Sequence, residues 1–205
     1  VLIAGQVSDD ASIRHGAGEI RDDLALIEAA RIRFPEACLI YKPHPDVIAG
    51  LRRGGADAAR LVDHIITTGS PAKLLDEIDR VMTISSTFGF EALLRGVPVT
   101  TAGMPFYAGW GLTDDLLPHP ARRKGVRPDL LSLTHAALIA YPRYYDPVIN
   151  SPCSVEVAIL CYLKRLQTVR LTNACMACCC KCVRLTCVPA KVNFSCEVSV
   201  SVCLV

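Results

Sequence analysis

Three consecutive hydroxyls, Ser85, Ser86 and Thr87, stand between an apolar run and a helical pattern. Arg80 to Ile84 predicts a strand, the hydroxyls a turn, Phe88 to Arg95 a helix stopped by Gly96, and Val97 to Thr100 the next strand. Such a turn is built for an anion. The first amides of a helix have no partner within it, and the macrodipole places partial positive charge at the same end. The hydroxyls add donors, and Glu91, one turn into the helix, can reach a sugar or base attached to a bound phosphate. An ordinary capped helix gives the same local pattern, so the reading needs a second group.

Lys42-Pro43-His44-Pro45-Asp46 supplies it. The two prolines hold the backbone extended. They fix His44 just past a strand end, where its imidazole can donate to a phosphate, and Lys42 adds charge. A third group, Gly5-Gln6, leaves the C-terminal end of the first strand. In open α/β sheets that end is where ligands bind.

These groups must be positioned by an α/β fold. Val1–Ala4, Ala37–Tyr41, His64–Thr67, Arg80–Ile84 and Val97–Thr100 read as short buried strands. Between them, Glu19–Arg33 carries helical apolar spacing, Val47–Arg53 is a short helix stopped by Gly54-Gly55, and Ser70-Pro71 starts another. Val7–Gly18 reads as a polar loop. Alternation of this kind predicts a Rossmann-like parallel sheet with helices on both faces. Right-handed crossovers then bring loops 5–18, 42–46, 67–70, 85–87 and 101–112 to one edge. Further on, Thr113–Asp129 reads as loop, with Arg122, Arg123, Lys124 and Arg127 as a solvated charge run or a contact for an anionic acceptor or membrane surface. Ser132 reads as the cap of a helix Leu133–Ala140, Tyr141–Pro147 as a rigid connector, and Val155–Leu166 as a last helix.

A chain of 205 residues with 51% apolar residues can bury a sizeable core. The net charge of +2 points to no nucleic-acid partner. The opening VLIAG has neither a basic leader nor an initiator Met and starts inside a buried-strand pattern, which reads as part of a longer protein. Of 11 cysteines only Cys38 precedes Cys153. From Tyr162 the one acid is Glu197 against six Lys and Arg, so this segment carries +5 and the rest −3. The shift marks a boundary near residue 161, with residues 1–160 as a Rossmann-like domain, which the resemblance below makes nucleotide-sugar-binding, and 161–205 as a Cys-rich tail.

GQVSDDAS near the start, YKPHPDVIAG, GFEALLRGVPV, PFYAGWGLTDD, YPRYYDPV and SPCSVEVAI resemble the bacterial capsule polysaccharide β-Kdo transferases of the KpsC/LipA type, over residues 1 to about 160. The resemblance implies the C-terminal, donor-binding half of a GT-B glycosyltransferase. It implies CMP-Kdo as donor, a lipid-linked saccharide as acceptor, and a cytoplasmic enzyme that can touch the inner membrane peripherally. His44 and its neighbours Lys42 and Pro45 would meet the donor phosphate, and Ser85, Ser86, Thr87 and the helix amides would hold it. Glu91 would accept from ribose hydroxyls, and Gln6 would face the sugar. Tyr107 and Trp110 would pack the base or sugar, or order their loop. This arrangement requires no metal and no cofactor, because basic and hydroxyl donors can stabilise the leaving CMP phosphate. The residue acting on the acceptor is expected on an N-terminal Rossmann domain outside this sequence.

The tail departs from the family. Cys175, Cys178, Cys179 and Cys182 have zinc-ligand spacing. Without His, Gly turns or acids around them, a shifted reading frame explains the segment better. Two other functions fit the same residues: a nucleotide-sugar epimerase of similar architecture, which would need no lipid acceptor, and a non-catalytic half-domain.

Overall fold

The computed structural model describes residues 1–51, 60–146 and 149–164. It divides into two compact units, Val1–Leu133 and the part from Thr134 onward. The compositional shift near residue 161 falls within the second, and the Cys175–Cys182 cluster lies outside the described residues.

The first unit is built on a six-stranded parallel sheet. Its strands are β1 (Leu2–Ala4), β2 (Ile40–Lys42), β3 (His64–Ile65), β4 (Val81–Thr83), β5 (Val99–Thr101) and β6 (Asp114–Asp115), in the spatial order β3-β2-β1-β4-β5-β6. The helices between them are α1 (Ala11–Gly16), α2 (Asp23–Arg33), α3 (Pro45–Ile48), α4 (Pro71–Leu75) and α5 (Thr87–Leu94), with α6 (Leu130–His135) after the last strand.

The inner strands are buried on both faces, which is why they read as apolar runs with no polar alternation. Successive residues still point opposite ways. Leu2 and Ala4 pack on one face with Val81, Val99, Leu75 of α4, Phe90 and Leu93 of α5 and Leu133 of α6. Ile3 and Met82 pack on the other with Ile13 of α1, Leu26, Ile27 and Ala30 of α2, and Tyr41. Helices cover both faces, as a doubly wound sheet requires.

Several local expectations change. The loop 7–18 contains α1, capped by Asp10, whose carboxylate accepts from the Ser12 amide. α2 starts at Asp23 and not at Glu19, because Asp22 is its cap and accepts from the Ala25 amide. The stretch 113–129 is not all loop, since Asp114 and Asp115 add the edge strand β6 beside Thr100 and Thr101. α6 is capped by Asp129, which accepts from the Ser132 amide at 2.6 Å, and Ser132 lies inside the helix. The short helix expected over Val47–Arg53 is instead α3 at Pro45–Ile48, followed by a turn at residues 49–50, and the expected stop at Gly54-Gly55 lies outside the described residues.

In the second unit, part of the expected connector 141–147 is instead a strand. β7 (Tyr144–Asp146) pairs antiparallel with β8 (Ser151–Cys153). Residues 155–164 are helical. Among the described residues no helix is long and apolar enough to cross a membrane.

Candidate functional site

The sheet order changes direction at β1, which has β2 on one side and β4 on the other. A strand order of 3-2-1-4-5-6 opens a crevice there, at the C-terminal strand ends, and that crevice is where such sheets bind ligands. Three expected groups leave these three strands: Gly5-Gln6 after β1, Pro43-His44 after β2, and Ser85–Thr87 after β4. β2 and β4 flank β1, so the His44 and Ser85 turns start about 10 Å apart, two strand spacings.

The Ser85 turn is heavily braced. Gln6 is 7% exposed. Its Oε1 accepts from the Ser85 amide at 2.8 Å and from Thr83 Oγ1 at 3.1 Å, and its Nε2 donates to Ser85 Oγ at 3.1 Å. The Ser86 amide donates to Thr83 Oγ1 at 3.2 Å, and Ser86 Oγ caps α5 by accepting from the Phe88 amide at 3.2 Å. The hydroxyl of Tyr107 donates to the Ser86 carbonyl. The amides of Ser85, Ser86 and Phe88 are therefore taken inside the turn. The donors it can turn outward are the hydroxyl protons of Ser85 and Ser86, both half-buried, and of Thr87, which is exposed. Glu91 is exposed one helical turn after Thr87, on the same side of α5.

The His44 turn is held more lightly. His44 caps the short α3, with Nδ1 accepting from the Asp46 amide at 3.2 Å. With Nδ1 engaged as an acceptor, Nε2 is the nitrogen left to carry a proton outward. The ring is half-exposed, so Nε2–H is the donor it can offer a ligand. Pro43 is buried, Pro45 exposed as the first residue of α3, and Lys42 half-buried at the end of β2.

Under both turns lies a carboxylate that local sequence patterns did not single out. Asp23, 3% exposed at the start of α2, accepts from the Gln6 amide at 2.9 Å through Oδ1 and from the Tyr41 hydroxyl through Oδ2. Burial pushes its carboxyl up. The Tyr41 and Gln6 hydrogen bonds pull it back, Asp22 adds an upward push, and His44 exerts a further downward pull. Burial and the bond to Asp23 also raise the Tyr41 phenol above its ordinary range. Gly5 makes this approach possible. A Cβ there would stand 2.9 Å from Asp23 Oδ2, 2.9 Å from the Tyr41 ring and 3.0 Å from the Lys42 carbonyl.

The aromatic loop is a buttress. Tyr107 is 0% exposed, so of its two expected roles it performs the ordering of the loop and offers no face to a base or sugar. Trp110 donates from Nε1 to the Phe106 carbonyl at 2.7 Å, and one face is covered by the Arg123 guanidinium, 4.8 Å from the ring. Arg123 also departs from the solvated charge run expected for it. It is 8% exposed and donates to the carbonyls of Pro105 and Ala108. Asp115 completes the support, accepting from the hydroxyls of Thr101 and Thr113 and from the Gly109 amide. A Gly-rich loop beside a charge run was the signal available, but it did not say that one of the charges would be buried in the loop. Arg122, Lys124 and Arg127 are exposed. Among the described residues no group of three or more His, Cys, Asp or Glu converges as a metal site.

What this arrangement offers is three hydroxyl donors and an imidazole N–H at neighbouring strand ends, donors of the kind that suit an anion, with the exposed Glu91 carboxylate one helical turn on. Relatives agree with the sheet and the chain. The chain is 45% identical over 172 residues to the capsule polysaccharide modification protein LipA of Neisseria meningitidis serogroup A, a match covering 82% of this chain and 24% of LipA. It is 42% identical over 163 residues to the lipopolysaccharide-processing protein LpsZ of Rhizobium meliloti, covering 78% of this chain and 37% of LpsZ. In structure it resembles the β Kdo 2,7 transferase of Thermosulfurimonas dismutans KpsC, with a TM-score of 0.69, 40% identity, and 80% of this chain against 53% of that one. The β Kdo 2,4 transferase of the same KpsC superposes with a TM-score of 0.67 at 38% identity, over 78% of this chain and 50% of that one. The chain thus spans about a quarter of the length of LipA and about half of either KpsC chain. Residues 1–144 match the model for capsule polysaccharide biosynthesis proteins, and the chain belongs to that family.

Proposed function

We propose that this chain is the donor-binding half of a GT-B glycosyltransferase that moves Kdo from CMP-Kdo to a lipid-linked saccharide in capsule biosynthesis. The observation that carries the reading is the braced hydroxyl turn at the sheet's switch point, flanked by His44, in a chain 40% identical to a Kdo transferase structure. In the transfer, the bond between the anomeric carbon and the CMP phosphate oxygen breaks, and an acceptor hydroxyl bonds to that carbon. The hydroxyl's proton leaves to a base, and the electron pair of the broken bond stays on the phosphate. Negative charge therefore grows on CMP, facing the Ser85, Ser86 and Thr87 hydroxyls and His44 Nε2–H. Fixed donors aimed at growing charge lower a barrier without reorganising. Glu91 accepts from the ribose hydroxyls, and the group that acts on the acceptor comes from the partner Rossmann domain. A lipid-linked acceptor brings the enzyme to the cytoplasmic face of the inner membrane. Arg122, Lys124 and Arg127 are the exposed cations suited to meet that anionic surface.

Transfer of Kdo from CMP-Kdo to a lipid-linked Kdo acceptor, measured with this half in its full-length protein, tests the reading. His44→Ala should reduce kcat/KM by removing a phosphate contact worth about 1.5–3 kcal/mol. Glu91→Gln should raise KM for the donor with less effect on kcat. Unchanged kinetics in both variants, or release of an epimerised nucleotide sugar without acceptor, would sink it.

A further inference from the structure

Asp23 is a buried acid that the transfer chemistry does not call on. A carboxylate taken out of water is costly unless it is well partnered, and an amide would satisfy neighbours of the same shape. Its place in the fold gives it a use. One oxygen takes the backbone of Gln6, the residue whose side chain builds the Ser85 turn. The other takes Tyr41, on the strand that runs directly into Lys42-Pro43-His44. Both donors point at a single side chain on α2, an element that is neither of the two turns. The α2 N-terminus, where Asp23 is the first residue, favours a negative group at that position. Gly5 leaves the gap through which the three elements meet.

We propose that Asp23 is the positioning residue that ties the hydroxyl turn and the His44 turn into one phosphate receptor. The proposal rests on the donor-phosphate reading of these turns. Asp23 touches neither CMP nor the reacting carbon. It sets the offset between two binding groups that come from strands on either side of β1. Without it the Ser85 turn keeps its Gln6 bonds, but Gln6 and Tyr41 lose their common anchor.

The test uses the full chain with CMP as probe. Asp23→Ala should weaken CMP binding about tenfold, and Asp23→Asn should recover most of that. The Asn carbonyl can accept from the Gln6 amide while its NH2 donates to the Tyr41 oxygen. The double variant Asp23→Ala/His44→Ala should bind CMP less weakly than the product of the two single effects, because the tie acts through His44. A general loss of folded protein would instead multiply the effects, and full multiplication overturns the proposal.

Stability gives a separate readout. Burial raises the folded-state pKa of Asp23, so its stabilising contribution is complete below the ordinary carboxylate value of about 3.9 and is lost as pH rises through the folded value. Asp23→Asn should therefore melt at or above the unaltered chain near neutral pH, with the gap closing below about pH 4. A marked drop at neutral pH would show a plain stability role and overturn the proposal. A third arm needs no nucleotide. In amide NMR spectra, Asp23→Ala should move the Gln6, Ser85 and Asp46 signals together, and an unmoved Ser85 or Asp46 would overturn the tie. If the unaltered chain ignores CMP while these signals move together, the tie stands and the donor-phosphate reading fails.

Discussion

At the Ser85 turn, one neighbouring residue and two from elsewhere in the chain hold the backbone in place. Gln6 reaches over from β1, Thr83 supports from the strand below, and Tyr107 clamps the Ser86 carbonyl from the aromatic loop. At the His44 turn the ring itself makes the cap, by one bond to Asp46, and stands half-exposed. One region is a formed receptacle and the other is an arm fixed at its root. On the proposed donor-phosphate reading, the difference teaches how a weakly basic site would hold a phosphate. The groups whose dipoles must not reorganise during bond breaking are the ones that are braced. The His44 ring keeps more freedom, limited by its one bond to the Asp46 amide and by a proline on each side.

That contrast can be broken most sharply at Gln6. Gln6→Ala removes three hydrogen bonds and leaves the Ser85 amide and Thr83 hydroxyl short of partners in a buried setting. The expected loss is about 2–4 kcal/mol in denaturant unfolding. A loss below about 1 kcal/mol would mean that the turn is self-supporting.

Gly89 comes next. A Cβ there would lie 2.3 Å from the Tyr107 hydroxyl and 3.2 Å from Thr83 Cγ2. Gly89→Ala should cost about 1–3 kcal/mol by overpacking, despite the better helix propensity of Ala. Adding Tyr107→Phe removes the obstructing oxygen and should restore part of the melting temperature. Failure of that rescue would show that Tyr107 is not what the helix start leans on.

His44→Ala should have the smallest effect on folding, about 0.5–1 kcal/mol for a lost cap, while still impairing transfer. A stability cost as large as that of Gln6→Ala would erase the distinction between arm and receptacle.

The central strands and the hydroxyl turn were legible because burial on both faces and capping leave local marks. Val81–Thr83 is an unbroken run, and Ser86 caps the helix as its type suggests. β6 was not legible. Two aspartates carry no periodicity, and Asp114 joins the sheet edge by accepting from Thr100 and from Arg33, 81 residues away. Arg123 looked like a member of a charge run because nothing local announces the two carbonyls and the indole face that receive it. Gln6 and Asp23 show the same limit at the site itself. Gln6 was placed at the right strand end, but its partner stands 79 residues on. Asp23 was not singled out, because nothing local marks an acid within a helical run as one that is buried against Gln6 and Tyr41.

The strand order also sets a schedule for synthesis. β1 leads the sheet in sequence and lies in its interior, yet one of its two neighbours is β4 at Val81–Thr83. A ribosome adding about 5–20 residues per second needs roughly 4–16 s to travel from Gln6 to Ser85. Through that interval Leu2 and Ile3, fully buried in the finished sheet, can be covered along one strand edge only. The open side is a template for pairing with any other nascent chain nearby. The same crossing that creates the crevice makes Gln6 wait through the synthesis of 79 residues for the hydroxyl it will hold.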